Sequence, residues 1–208
     1  MATHSVKFWD RMAKRYSKQP IADEAAYQKK LEVTQSYLSP DMRLLEFGCG
    51  TGSTALIHAP LVKEILAIDV SANMLAIAQE KADAQGIQNV QFKVQTIEDF
   101  DSHEGQFDAV LGMSILHLLG NKEAAIEKVF HLLKPGGLFI SSTVCADKMI
   151  APLRWAIRLG YAVGLLPHFK GFSKENLEAS MVQAGFDLDY VWRPGENKAV
   201  FIVAKKPH

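Results

Sequence analysis

Apolar residues recur along this chain with two different periods, and the switches between them outline the fold. Short runs rich in Leu, Ile, Val and Phe lie at 43–47, 64–69, 89–94, 106–112 and 137–144, the lengths expected of buried strands. Helical spacing occupies 5–17, 21–38, 52–59, 71–85 and 121–133. Pro20 separates the first two helices. Ser71 stands where an N-cap belongs, and Gly86 is a natural stop. Lys134-Pro135-Gly136-Gly137 closes the last of these helices and opens the fifth strand. Strand and helix in alternation imply a parallel sheet with helices on both faces. The tail departs from that rhythm. A helix is predicted over Ser173–Ala184, then strands at 186–192 and 198–204. The last two flank the turn-rich Arg193-Pro194-Gly195-Glu196-Asn197 and read as a hairpin. The expected fold is α/β: a doubly wound seven-stranded sheet, mostly parallel, with an antiparallel strand in its C-terminal hairpin.

Composition narrows the function. At 208 residues the chain suits one domain. Lys plus Arg and Asp plus Glu balance at 23 each, which leaves no global electrostatic footprint for nucleic acid or an acidic membrane. The two cysteines, Cys49 and Cys145, form neither a metal-ligand spacing nor a disulfide framework. No metal is expected, and a reduced cytoplasmic setting is the expected location. The opening MATHSVKFWDRMAKRY lacks the apolar stretch of a secretory signal.

The chemistry gathers at Leu44-Leu45-Glu46-Phe47-Gly48-Cys49-Gly50-Thr51-Gly52. A buried strand breaks here into a turn whose alternate glycines let a ligand lie against the backbone. Glu46, just ahead of the first glycine, repels phosphate and attracts a cation or a set of donors. That favours a ligand bearing amino or hydroxyl groups over a pyrophosphate. The dinucleotide fingerprint needs glycine at its sixth position, and Ser53 stands there; the phosphate-loop pattern needs a lysine the loop lacks. In doubly wound sheets ligands bind beyond the carboxyl ends of the strands. Asp69 ends the second strand, where an ionised carboxylate can accept two ribose hydroxyls; it can also serve simply as an acid at a helix N-terminus.

In the form E-x-G-x-G-x-G, this stretch resembles motif I of the class I S-adenosylmethionine (SAM)-dependent methyltransferases. The resemblance runs over about residues 41–145. It looks closest to the small-molecule branch that includes the ubiquinone and menaquinone biosynthesis methyltransferases. Lys134-Pro135-Gly136-Gly137-Leu138-Phe139-Ile140 and the ending Phe172-Ser173-Lys174-Glu175-Asn176-Leu177 fit that branch. The resemblance implies a Rossmann-like fold, SAM as methyl donor, and a role for each matching residue. Glu46 would sit near the amino group of the methionine moiety. Gly48, Gly50 and Gly52 would pass under methionine and ribose, and Asp69 would take the ribose hydroxyls. Val70 and Met74 would pack on the adenine, with Thr96, Ile97 and Glu98 along its other side. Many relatives carry aspartate and alanine where this chain has Thr96-Ile97, which leaves the Ile97 amide as the ring contact. Met113 would offer its carbonyl near the ligand's amino group. Phe8-Trp9-Asp10-Arg11-Met12-Ala13-Lys14-Arg15-Tyr16 resembles the family's N-terminal lid, in which Tyr16 would close over the methionine end. The implied layout is one domain over 1–208: a helical lid at 1–40, the SAM-binding core at 41–146, an insert at 147–171, and a C-terminal helix and hairpin at 172–208.

The acceptor is less constrained. Met113-Ser114-Ile115-Leu116 contains neither the Asn/Asp-Pro-Pro-Tyr of amino-methyltransferases nor the Pro-Cys of RNA cytosine methyltransferases, and two cysteines are too few for arsenite methylation. The insert is strongly apolar, with Arg154 and Arg158 four residues apart on one helical face. Those arginines, Pro152 and Pro167 argue against a transmembrane span. The insert is expected to cap the acceptor site, its arginines meeting either an anionic group or solvent; a peripheral membrane contact is a further option. His117 and then His168 are the candidate bases, should the acceptor need to lose a proton. The expected activity is methyl transfer, by in-line displacement, to a small apolar or amphipathic molecule. A non-catalytic SAM-binding protein and an NAD-linked oxidoreductase are the alternatives.

Overall fold

The structure is a computed structural model that describes residues 3–101, 103–145, 155, 159–161, 164, 166–196 and 198–208. Its strands are β1 (Arg43–Phe47), β2 (Glu64–Asp69), β3 (Val90–Val94), β4 (Phe107–Met113), β5 (Leu133–Thr143), β6 (Asp187–Trp192) and β7 (Val200–Lys205). They form one sheet in the order β3-β2-β1-β4-β5-β7-β6. The pairings among β1 to β5 are all parallel, and β7 is antiparallel to both β5 and β6. The chain leaves β1 towards β2 on one side and returns to β4 on the other, so strand order reverses at the carboxyl end of β1. That is where an open α/β sheet offers its crevice.

The helices are α1 (Thr3–Tyr16), α2 (Glu24–Gln35), α3 (Ser53–His58), α4 (Ala72–Gln85), α5 (Lys122–Leu132) and α6 (Lys174–Gln183). Ser71 caps α4 by accepting the Met74 N–H, and Gly86 ends it in the left-handed region, as the sequence predicts. Two boundaries differ from expectation. The helix expected over 21–38 starts only at Glu24, because Asp23 caps it by accepting the Ala26 N–H. The fifth strand begins at Leu133 rather than 137: Leu133 already pairs with Phe107, and the register then shifts so that Leu138 faces Ala109. The Lys134–Gly137 turn is an irregularity inside the strand.

Successive residues of β1 feed opposite faces of the sheet. Leu44, with Ile65, Leu111 and Phe201, packs beneath α3 and α4 through Ala55, Leu56, Leu75 and Ala82. Leu45, with Phe47, Val110 and Phe139, packs beneath α5 and α6 through Ile126, Val129, Leu177 and Met181. Among the described residues no helix is long and apolar enough to cross a membrane.

Gly112 sits where the Phe47 and Phe139 rings stack, their centroids 6.2 Å apart. A Cβ at 112 would lie 2.7 Å from Phe47 Cζ. Space, not backbone angle, requires glycine here, and Phe47 also walls the crevice. Gly112→Ala is expected to cost about 1–3 kcal/mol through overpacking. Urea denaturation measures it; an unchanged midpoint would show that the phenylalanines yield freely.

Candidate functional site

β1 delivers Glu46 and Phe47 to the sheet edge, and the chain turns through Gly48, Gly50 and Gly52 with φ of 65°, 54° and 74°. All three lie in the left-handed region that favours glycine. Their surroundings differ. A Cβ on Gly48 would strike Ile115 at 2.6 Å, and one on Gly52 would strike Ala78 of α4 at 2.8 Å. At Gly50 only Tyr16 lies within reach, at 3.7 Å, so this peptide faces the crevice. Lys81 of α4 braces the loop from below, its ammonium donating to the Thr51 carbonyl at 3.1 Å and hydroxyl at 2.9 Å.

Asp69 ties the loop to its neighbours. Its Oδ2 accepts the Gly50 N–H at 2.8 Å, and its Oδ1 accepts the Ser71 N–H at 2.9 Å. The Ser71 hydroxyl, which caps α4, donates to Asp10 Oδ1 at 2.6 Å. Asp10 therefore fastens α1 over the site, helped by Asn73, whose side chain donates to the Asp10 carbonyl at 3.1 Å. Burial pushes the Asp69 carboxyl up, and the N–H groups of Ser71, Gly50 and Val70 oppose that rise. Each Asp69 oxygen keeps a lone pair beyond the one its backbone partner uses.

Glu46 is the most unusual group. It is 2% exposed, and its Oε2 has no hydrogen-bond partner. Burial, and then the charge of Asp69, push its carboxyl up to about 8. At neutral pH it is a protonated acid behind the glycine loop. Bringing a cation alongside would favour its ionised form.

Two cavities meet at the loop, and Tyr16, Gly48, Gly50, Met113 and Ser114 line both. The first is a slot over the ends of β1 to β4. Asp69, Val70, Met74, Thr96, Ile97 and Glu98 line it, with Trp9 and Tyr16 of α1 above. The second, of about 620 Å³, lies behind the loop between α2, the end of β5 and the β6–β7 connection, and Glu46 opens onto it. Gly52 lines neither cavity; it caps α3 and packs on α4.

The histidines stand apart from this arrangement and line neither cavity. His117 is 8% exposed, its ring edge-on to Phe169, and burial holds it down at about 4. His168 packs edge-on against Tyr161, with its Nδ1 buried and unpartnered. Of the expected cap, Arg154, Arg158 and most neighbouring positions lie outside the described residues. Trp155 is 71% exposed, and no described residue of 155–171 lines the large cavity. Among the described residues, its walls come from α1 and α2 with their connection, the glycine loop, the end of β5 and the β6–β7 connection.

Several site residues escaped the sequence reading. Asp10 lay within the lid motif but carried no signal of its partner, Ser71. Gln95, the first residue after β3, lines the slot and holds a buried Oε1 without a partner. Ser114 adopts φ 57°, rare outside glycine, and its N–H donates to the Ser142 carbonyl at 2.7 Å. Thr96 spends its hydroxyl on Asp99, donating to the carboxylate at 2.8 Å and accepting the Asp99 N–H at 2.9 Å. Among the described residues no group of three or more His, Cys, Asp or Glu is arranged to hold a metal ion.

Comparison with known proteins agrees with this architecture. A methyltransferase domain family model matches residues 38–182. The chain is 32% identical over 181 residues to a ubiquinone biosynthesis O-methyltransferase of Xanthomonas axonopodis pv. citri, covering 82% of this chain and 75% of that protein. It is 29% identical over 221 residues to the protein of the same name from Xylella fastidiosa, covering 92% and 89%. The crystal structure of the YcgJ protein of Bacillus subtilis superposes with a TM-score of 0.71 over 87% of this chain and 99% of that one, at 18% identity, which speaks for the fold alone. With a glycine-turned β1 loop, an acid closing β2 and a family match across most of its length, this chain belongs to the SAM-dependent methyltransferases of the methyltransferase domain family.

Proposed function

We propose that the slot and the loop together hold SAM, and that the protein transfers its methyl group to the oxygen of a small, amphipathic acceptor. The observation that carries the placement is the unpartnered Glu46 Oε2. A buried carboxyl oxygen without a donor is costly, and the ammonium of an amino-acid moiety satisfies it. Asp69 can accept two ribose hydroxyls with its remaining lone pairs. Met74 and Ile97 offer apolar faces to a purine. The free Gln95 Oε1 is suited to an adenine amino group, a contact that Thr96 cannot make while its hydroxyl serves Asp99.

SAM supplies an already activated methyl group on a sulfonium. The protein's part is alignment, for which approximation can contribute roughly 7–11 kcal/mol. Tyr16, Gly48, Gly50, Met113 and Ser114, common to both cavities, form the passage through which donor and acceptor would meet. Burial raises the phenols of Tyr16 and Tyr27, so both stay protonated and act as donors rather than bases. Oxygen as the methylated atom follows the named activity of the Xanthomonas and Xylella relatives. A cytoplasmic location accords with the same reading.

Calorimetry with S-adenosylhomocysteine and with NAD tests the cofactor. The homocysteine nucleoside is expected to bind and NAD is not. Asp69→Ala should weaken binding by roughly 1.5–3 kcal/mol, the scale of hydrogen bonds to a charged group. Tight NAD binding, or an unchanged dissociation constant in folded Asp69→Ala, would contradict this reading.

The Glu46 carboxyl also predicts a pH dependence. Its folded value of about 8 lies above the ordinary 4.5. Its contribution to the stability of the free protein is therefore complete below about 4.5 and is lost as pH rises through about 8. Ligand binding works in the opposite sense, because an ammonium favours the ionised acid. Affinity for S-adenosylhomocysteine should rise between about pH 5.5 and 7.5, below the titration of the ligand's own α-amino group at about 7.7–8.0. Binding near neutrality should release a proton, seen as buffer-dependent heat. Glu46→Gln should flatten both effects; a pH-independent wild type would show that the acid does not meet the ligand's cation.

A further inference from the structure

One face of α4 meets the lid, the slot and the glycine loop in turn. Ser71, which caps the helix, and Met74, Ala78 and Lys81 within it follow at intervals of three, four and three residues. That spacing stacks them along one side. The Ser71 hydroxyl donates to Asp10 of α1. Met74 lines the slot. Ala78 packs so near Gly52 that a Cβ there would lie 2.8 Å away. Lys81, at the far end of the row, grips the loop itself.

An ammonium carries three hydrogens. Here three oxygens receive them: the Thr51 carbonyl at 3.1 Å, the Thr51 hydroxyl at 2.9 Å and the Ser53 hydroxyl at 3.3 Å. Among the described residues Lys81 makes no ion pair. Burial draws its ammonium down from the ordinary value, and no carboxylate offsets that. Thr51 is itself buried, so this cation holds a turn that solvent barely reaches. The loop is thereby fixed from two sides. Asp69 accepts the Gly50 N–H. The Thr51–Gly52 peptide gives its N–H to the Cys49 carbonyl at 3.0 Å and its oxygen to Lys81. Gly50 lines both cavities, and Thr51 and Ser53 line the larger one, whereas Lys81 lines neither. Whatever Lys81 does for a ligand, it does through the loop.

We propose that Lys81 is a positioning residue for the methyl donor: through Thr51 and Ser53 it holds the second half of the glycine loop in the shape that receives SAM, without touching SAM itself. The inference rests on SAM occupying the slot and loop. The rival is a brace that serves the fold alone, joining α4 to the start of α3. The two differ in what the ligand does to the lysine. If the loop shape that Lys81 holds is also the shape that binds the donor, each stabilises the other by the same factor. A brace for the fold alone carries no such coupling.

The test reads that coupling in both directions on the full-length chain. Lysines are acetylated with sulfosuccinimidyl acetate, with and without saturating S-adenosylhomocysteine, and peptide mass spectrometry compares Lys81 with the exposed Lys63 and Lys93. The ligand is expected to slow labelling of Lys81 roughly fivefold or more, the lower end of ordinary coupling between sites, and to leave Lys63 and Lys93 unchanged. Because Lys81 lines neither cavity, the ligand cannot shield it directly. In the other direction, folded Lys81→Met should bind S-adenosylhomocysteine roughly fivefold or more weakly, and Lys81→Arg, which keeps a cation and its donors, should retain most of the affinity. The labelling comparison needs no variant to fold. Equal labelling of Lys81 with and without ligand overturns the proposal. So does folded Lys81→Met with wild-type affinity, or an equal loss in Lys81→Arg and Lys81→Met, since packing and not the ammonium would then be the cause. Failure of the wild type to bind S-adenosylhomocysteine at all is a separate result, which removes the placement of SAM and this inference with it.

Discussion

The site depends on a single carboxylate that holds three chain segments in register. Asp69 closes β2 and accepts N–H groups from the β1 loop and from the start of α4. Through Ser71 the same network reaches Asp10 and fastens α1 over the crevice. Each bond alone contributes about 1 kcal/mol, and those to a charged acceptor more. Their weight here is geometric. A loop with three left-handed glycines has little of its own to hold it in one shape, and the Gly50 peptide is fixed by Asp69 instead. On the proposed reading, the residue that shapes the loop also reads the ribose, so cradle and ligand contact would be built on the same atoms.

Glu46 adds the opposite kind of constraint. It lies one strand away from Asp69, and burial and then the charge of Asp69 raise the cost of charge on Glu46. The protein keeps one unsatisfied carboxyl oxygen, Glu46 Oε2, buried behind the loop, which natural structures rarely do without a functional reason. A ligand that carries both hydroxyls and an ammonium answers both acids at once. A pyrophosphate answers neither, and the missing sixth-position glycine agrees with that.

Much of this was legible in the sequence because it rests on local rules. The strand runs, the Ser71 cap, the Gly86 stop and the hairpin around Arg193–Asn197 each depend on a few adjacent residues. The glycine loop and Asp69 could be found for the same reason. What could not be read depends on contacts distant in sequence. The Asp10–Ser71 bond spans 61 residues and the Lys81–Thr51 brace 30, and neither residue type is unusual in its own helix. Gly112 looks like a flaw in a strand until Phe47 and Phe139 are seen to close over it. The acceptor wall was expected from the apolar insert at 147–171, since apolar helices need cover. Most of that insert lies outside the described residues; among those described, α2 supplies one wall of the large cavity, and its face at Tyr27, Lys30 and Thr34 carries too little apolar pattern to stand out.

On the proposed reading Asp69 builds the loop and receives the ligand with the same two oxygens. A crystal structure with S-adenosylhomocysteine tests it directly. Ribose hydroxyls are expected on Asp69 with the Gly50 and Ser71 N–H bonds still in place, the purine between Met74 and Ile97, and the amino group beside Glu46. A nucleoside whose hydroxyls lie away from Asp69, or a loop that must release Gly50 to admit it, would contradict the account.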